Sequence, residues 1–202
     1  MAYQRSALMQ ERLAENRQRI LLSARKLVAE GGFRLASITA VAEAAGLSTG
    51  AIYRYFPSKA ALFVEVLNSA VAHECEILDA IVDGQGNATL RLRAAVESFA
   101  RRALKGPSLA YAFIAEPADP EVEAARLLCR RQFGDVFKRV LREGVASGEF
   151  PRQSVDVSAA CIVGAFTEAL VRPVEPATPR KAGEAVVRGI VDFCERAVTG
   201  SR

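Results

Sequence analysis

The stretch Ser37-Ile-Thr-Ala-Val-Ala-Glu-Ala-Ala-Gly-Leu-Ser-Thr-Gly-Ala-Ile-Tyr-Arg-Tyr-Phe56 reads as two short helices meeting at a tight corner. Ser37 and Ser48 stand where N-caps belong, because a serine hydroxyl accepts from the free amides of a first turn. Ala42 is small enough for the second helix to cross closely over the first, and Gly46 supplies a left-handed corner at no steric cost. Val41, Ala45, Leu47 and Ile52 close the crossing as a small apolar core. This spacing is that of a helix-turn-helix, whose second helix places its N-terminal residues against base edges in the major groove of DNA.

An ordinary αα-hairpin in an all-α protein is the competing reading, and the flanking residues weigh against it. Thr49, Gly50 and Ala51 keep the start of the second helix short and polar. Tyr53, Arg54 and Tyr55 bring hydrogen-bond donors one turn later. Lys59 falls in the first turn of the next helix, where a cation opposes the helix dipole. A phosphate held jointly by that lysine and the exposed amides would resolve the conflict.

Outward from this motif almost everything reads as helix. Aromatic residues are 7% of the chain, there is no Trp, and no β-branched alternation of the strand type persists. A first helix is expected over about Gln10–Glu30, with Leu13, Ile20, Leu21, Ala24, Leu27 and Val28 on its apolar face and Gly31-Gly32 as its stop. The next two helices start at Ser37 and Ser48 and end at Gly46 and before Pro57. A long helix over 58–82 follows, then helices near 88–104, 108–115, 120–146, 154–171 and 180–198, separated by Gly- and Pro-containing breakers. The loop at Asp83–Asn87 follows the long helix.

Charge is distributed unevenly. Residues 1–60 carry 9 basic and 4 acidic side chains, leaving 18 of the 27 basic and 19 of the 23 acidic residues for 61–202. The +4 net charge therefore resides in the first third, which suits a polyanionic partner. No run of 18 apolar residues is present, so no membrane partner is expected. The N-terminal residues lack a signal-type apolar core, and a cytoplasmic location follows as the expectation. Cys75, Cys129, Cys161 and Cys194 are too far apart in sequence for a compact zinc site or a small disulfide scaffold, so buried thiols are expected.

The run from Ala24 to Phe63, and above all AAGLSTGAIYRYFPSKAALF, resembles the DNA-binding domain of TetR-family transcriptional regulators. The resemblance covers about residues 10–65 by sequence and the remainder by architecture. It implies an all-α protein in which a three-helix DNA-binding head (residues 1–60) precedes a helical effector-binding and dimerisation domain (61–202), with the helix 58–82 as the link. It further implies a homodimer, more often repressor than activator, released from a palindromic operator when a small effector binds. By analogy with other helix-turn-helix dimers, half-site centres would lie roughly 34–36 Å apart or slightly more. Carried over by position, Thr49, Gly50, Ala51 and Tyr53 look base-facing, and Ser48 joins them as a DNA contact. Tyr55 and Lys59 look like phosphate contacts, with Ser37 and Thr39 as lesser ones, and Arg54 suits either role. Ala51 stands where the family often has a hydroxyl residue; an alanine there offers only methyl contact, such as to thymine.

In the remainder, the helices near 154–171 and 180–198 are apolar on more than one side, which asks for a second partner beyond the core. A four-helix dimer interface is the expectation. Phe99, Tyr111, Phe113, Phe133, Phe137 and Phe166 are candidates to line an effector pocket, and their character favours a hydrophobic ligand. Glu116 and Arg102 read as solvated surface charges rather than ligand anchors, and His73 as a packed or surface residue. No catalytic residues, metal ligands or cofactors are assigned. A single histidine leaves serine and cysteine nucleophiles without an evident base, and Gly84-Gln-Gly86 lies outside any βαβ unit. The rival function, a carrier or enzyme of small apolar molecules using a helical cavity, would show turnover of a bound compound and no DNA binding.

Overall fold

The computed structural model describes residues 2–176 and 183–200, with the side chains of 2–7 left out. The first residues of the helix expected at 180–198 and residues 177–179 of the preceding linker lie outside the described residues. Among the described residues every regular element is helical: α1 (Ala2–Leu35), α2 (Ile38–Ala44), α3 (Thr49–Tyr55), α4 (Lys59–Val82), α5 (Ala88–Lys105), α6 (Pro107–Ile114), α7 (Pro120–Ser147), α8 (Val155–Val174) and α9 (Gly183–Thr199).

The chain punctuation acts through local hydrogen bonds. Ser37, Ser48, Ser58 and Asn87 each cap a helix, their side-chain oxygens accepting from Ala40 N, Ala51 N, Ala61 N and Leu90 N at 2.9–3.2 Å. The Gly31-Gly32 stop is present as a kink, with Gly32 at φ +77° and one further turn to Leu35. Ile20, Ala24 and Val28 of α1 are buried as expected, but Leu13 is 44% exposed. It sits on the part of α1 that extends past the packed helices, so periodicity alone overstated that face. At the other end, α8 continues through Pro173, which falls in its last turn.

α1–α3 and the start of α4 share a core of Ile20, Val28, Val41, Ile52, Leu62 and Phe63. α4 then runs on into a bundle in which it packs on α5 and α7, while α8 and α9 close the far side. By length and composition α8 would also suffice to cross a membrane, at a mean hydropathy of 1.5. It instead buries Ile162, Val163, Phe166 and Leu170 inside this bundle. The 18-residue apolar run sought in the sequence is too strict a criterion for such a helix.

The α5 terminus shows how remote residues complete a helix end. Besides the Asn87 cap, the Glu149 carboxylate accepts from Ala88 N at 3.0 Å and Thr89 N at 3.1 Å. These amides hold the Glu149 carboxyl below its ordinary range. A group with a lowered folded pKa stabilises above its unfolded pKa and loses that contribution as pH falls through the folded value. Glu149→Gln is therefore expected to cost about 1 kcal/mol at neutral pH, in the usual range for helix-terminus interactions, with the difference shrinking below pH ~4. Urea denaturation of both proteins at neutral and acidic pH measures it, and an equal deficit at both would contradict the assignment.

Candidate nucleic-acid interface and effector cavity

α2 and α3 are too short to persist alone in water, and their orientation is set by burial. Ile38, Val41, Ala42, Ala45, Ile52 and Phe56 are all within 8% of complete burial. Between the helices, Leu47 N donates to Ala42 O at 2.9 Å, and Gly46 takes φ +63°. A Cβ at Gly46 would meet nothing, so glycine is required there by the backbone conformation and not by space.

With Ile52 turned inward, the opposite edge of α3 faces water. Thr49, Gly50, Tyr53 and Arg54 are exposed, Tyr53 by 52%, and Ala51 and Tyr55 are partly exposed. Ser37, Thr39 and Ser48 are exposed as well, the two serines also serving as caps. Sequence reading missed Asn16, whose Nδ2 donates to the Tyr55 hydroxyl at 3.1 Å while its Oδ1 accepts from Arg19 at 2.9 Å. A hydroxyl that accepts in this way keeps its own proton for an outside acceptor such as a phosphate oxygen. The i,i+3 spacing of Asn16 and Arg19 was the only local signal. Lys59 is half-buried, its ammonium 5.3 Å from the centre of the Phe63 ring, in a groove it shares with Arg34 and Glu116.

A second feature lies in the bundle. A cavity of about 140 Å³ opens between α4, α5, α6 and α7. Of the six aromatic candidates, Phe99, Phe113 and Phe133 line it. Phe137 and Phe166 do not: both are fully buried behind the wall, where the Phe166 ring centre lies 4.6 Å from that of Phe99 and 5.6 Å from that of Phe137, tilted to both. Tyr111 is half-buried and also lies off the cavity. Helical spacing placed these rings on inward faces, but which inward faces meet packing and which meet space depends on how the helices cross.

The polar groups of this region also depart from the sequence reading. Arg102 is no free surface charge; it lines the cavity, with Nε donating to Glu74 at 2.8 Å. Arg126, 6% exposed, donates to Glu123 at 2.7 Å, to the Glu116 carbonyl at 2.5 Å and to the Ala112 carbonyl. Glu116 in turn accepts from Phe33 N at 2.8 Å and Arg34 N at 3.4 Å, tying the loop after α6 to the end of α1. At Gly32 a Cβ would lie 2.4 Å from that carboxylate, so this contact requires a residue without a side chain. Arg102 Nη2 and Arg126 Nε are buried with no acceptor. A buried unsatisfied donor costs about 1–3 kcal/mol.

Burial pushes the thiols of Cys75, Cys129 and Cys194 up to about 11, which leaves little reactive thiolate at neutral pH. Among the described residues no group of three His, Cys, Asp or Glu is placed to hold a metal ion.

Comparison with known proteins matches both halves of the chain. Residues 20–66 fit the family profile of bacterial regulatory proteins, tetR family, and residues 85–170 that of the tetracyclin repressor-like C-terminal domain. The HTH-type transcriptional repressor KstR of Mycobacterium tuberculosis is 33% identical over 149 residues, covering 69% of this chain and 64% of that protein. KstR of Mycolicibacterium smegmatis is 41% identical over 78 residues, covering 39% of this chain and 36% of the relative. The chain thus matches less than two thirds of the length of these relatives. Among solved structures, a transcriptional regulator of the TetR/AcrR family from Thermobifida fusca superposes with a TM-score of 0.67 at 26% identity, over 93% of this chain and 99% of that one. The transcriptional regulator FadR of Bacillus subtilis, in complex with stearoyl-CoA, shares the fold at a TM-score of 0.76 and 20% identity, over 92% and 99%. Two family profiles matched in order, one on the helix-turn-helix head and one on the bundle behind it, settle the relationship: the chain belongs to the TetR family of bacterial regulatory proteins.

Proposed function

We propose that this chain is a ligand-responsive transcriptional repressor and not an enzyme, acting in the cytoplasm as a homodimer on a palindromic operator. The observation that carries this reading is the outward edge of α3, where Thr49, Gly50, Tyr53 and Arg54 stand in water on a helix anchored from behind by Ile52. In this reading residues 1–60 form the DNA-binding head, residues 61–202 bind effector and partner, and α4 links the two. Thr49, Gly50, Ala51 and Tyr53 meet base edges. Ser37, Thr39, Ser48, Tyr55 and Lys59 meet the backbone, and Arg54 meets either.

The dimer surface is assigned to the outer faces of α8 and α9. Val157 is 61% and Phe193 54% exposed, alongside exposed Ala160, Cys161, Gly164 and Ala197. Large apolar side chains left in water beside small ones suit close helix packing against a second copy. The effector is assigned to the cavity between α4 and α7, whose lining is mostly apolar. The FadR relative of the same fold carries stearoyl-CoA, an apolar chain with a polar head.

Selection of bound duplexes from a random pool, followed by gel shift, tests the reading. An inverted repeat is the expected product, and no retention of any duplex at low salt would refute it. Lys59→Ala is expected to weaken all duplexes by a similar factor and lower the salt slope by about one, while Tyr53→Ala changes the preferred sequence. An unaltered affinity and salt slope in Lys59→Ala would remove Lys59 from the phosphate contacts.

A further inference from the structure

The charge lining the bundle cavity is one-sided. Four arginines, Arg25, Arg102, Arg126 and Arg130, line it, against the one glutamate, Glu74, among the described lining residues. Arg25 and Arg130 are exposed, whereas Arg126 is buried and Arg102 largely so. Glu74 engages Arg102 through Nε only, and Glu123 engages Arg126 through Nη1. Arg102 Nη2 and Arg126 Nε are left with neither protein acceptor nor solvent contact. The remaining lining is apolar, from Leu67 and Val71 on α4 to Phe113 and Phe133.

We infer that the effector of this cavity is an organic acid, with an apolar tail among the aromatic and aliphatic side chains and a carboxylate head held by the arginines that line it, Arg102 foremost. The inference deepens the effector assignment above and rests on it. A guanidinium N–H finds its strongest partner in an anionic oxygen, and the fork geometry of arginine favours planar carboxylates and phosphates. A neutral ligand gains nothing from the excess of arginines around the cavity, so an uncharged ligand of the same length binds less well. The exposed Arg25 and Arg130 at the cavity border raise the local concentration of an anion and speed its entry. Glu74 opposes the head group by repulsion and by occupying part of Arg102.

The test is calorimetric titration of the full chain, without DNA, with three probes sharing one eight-carbon tail: octanoate, octyl phosphate and 1-octanol. Octanoate is expected to bind at least about tenfold tighter than 1-octanol. Glu74→Gln is expected to strengthen octanoate binding several-fold and leave 1-octanol unchanged, because it removes the competing carboxylate. Arg102→Gln is expected to erase most of the preference for octanoate. Should Arg102→Gln fail to fold, by circular dichroism, Glu74→Gln still decides. Equal affinity for octanoate and 1-octanol, no effect of Glu74→Gln on octanoate, or no binding of any probe overturns the inference. Octyl phosphate binding about tenfold tighter than octanoate overturns the carboxylate assignment in favour of a phosphomonoester head. Octanoate that binds as expected but leaves duplex affinity untouched supports the inference while counting against the proposed release mechanism, so the two failures are distinguishable.

Discussion

Gly164→Arg is expected to turn the proposed homodimer into a monomer and to lower operator affinity by roughly 10²-fold or more. Gly164 lies on the exposed side of α8, and a Cβ built there meets nothing within 4 Å in the same chain. The arginine therefore fits the monomer, and its bulk and charge act on whatever second copy approaches. A palindromic operator is held by two heads at once, and joining two such contacts multiplies affinity by about 10²–10⁴ over either alone. Sedimentation velocity paired with gel shift on the selected inverted repeat reads both effects. A folded variant that sediments as a dimer and binds operator normally would exclude α8 from the interface. Phe193→Asp provides an independent check from α9, since that ring is already half in water and its loss disturbs little of the core.

Phe166→Ala is expected to cost about 3–5 kcal/mol of stability, the usual penalty for removing a buried ring. Phe166 is fully buried, its ring tilted between those of Phe99 and Phe137, so its loss removes packing from both neighbours and leaves a void. Against a typical total of about 5–15 kcal/mol, that loss lowers Tm by roughly 10 °C in a chain of this size. Phe113→Ala, in contrast, removes a half-buried ring that borders existing space and is expected to cost only about 1–2 kcal/mol. Thermal and urea denaturation of the two variants separate the assignments. Equal costs would mean that Phe166 faces the cavity after all.

The two rings illustrate how far sequence reading reached. Phe113 and Phe166 carry the same helical-face signal, and both were expected at the pocket. Only the packing of α6 and α8 against the rest of the bundle put one beside space and the other behind the wall. Leu13 failed in the same sense: its register on α1 was right, but no neighbouring helix extends far enough to cover it. The serine caps, by comparison, needed no such information, because Ser37 and Ser48 bond to amides three residues away.

The amino-acid sequence by itself determined the succession of helices, the corner at Gly46 and the inward lock of Ile52 that turns Thr49 and Tyr53 outward. Each depends on residues within a few positions of one another, where steric and hydrogen-bonding rules act directly. Tertiary structure alone decided that the Glu116 carboxylate accepts from Phe33 N, just past the kink in α1, across 83 residues of sequence, and that Arg126 clamps the loop after α6. It also decided that Arg126, buried, and Arg102, largely so, line an apolar cavity while each keeps one buried N–H without an acceptor. Such pairings follow from how whole helices pack, and a solvated arginine and a buried one look the same in sequence because their difference lies entirely in the neighbours that exclude water.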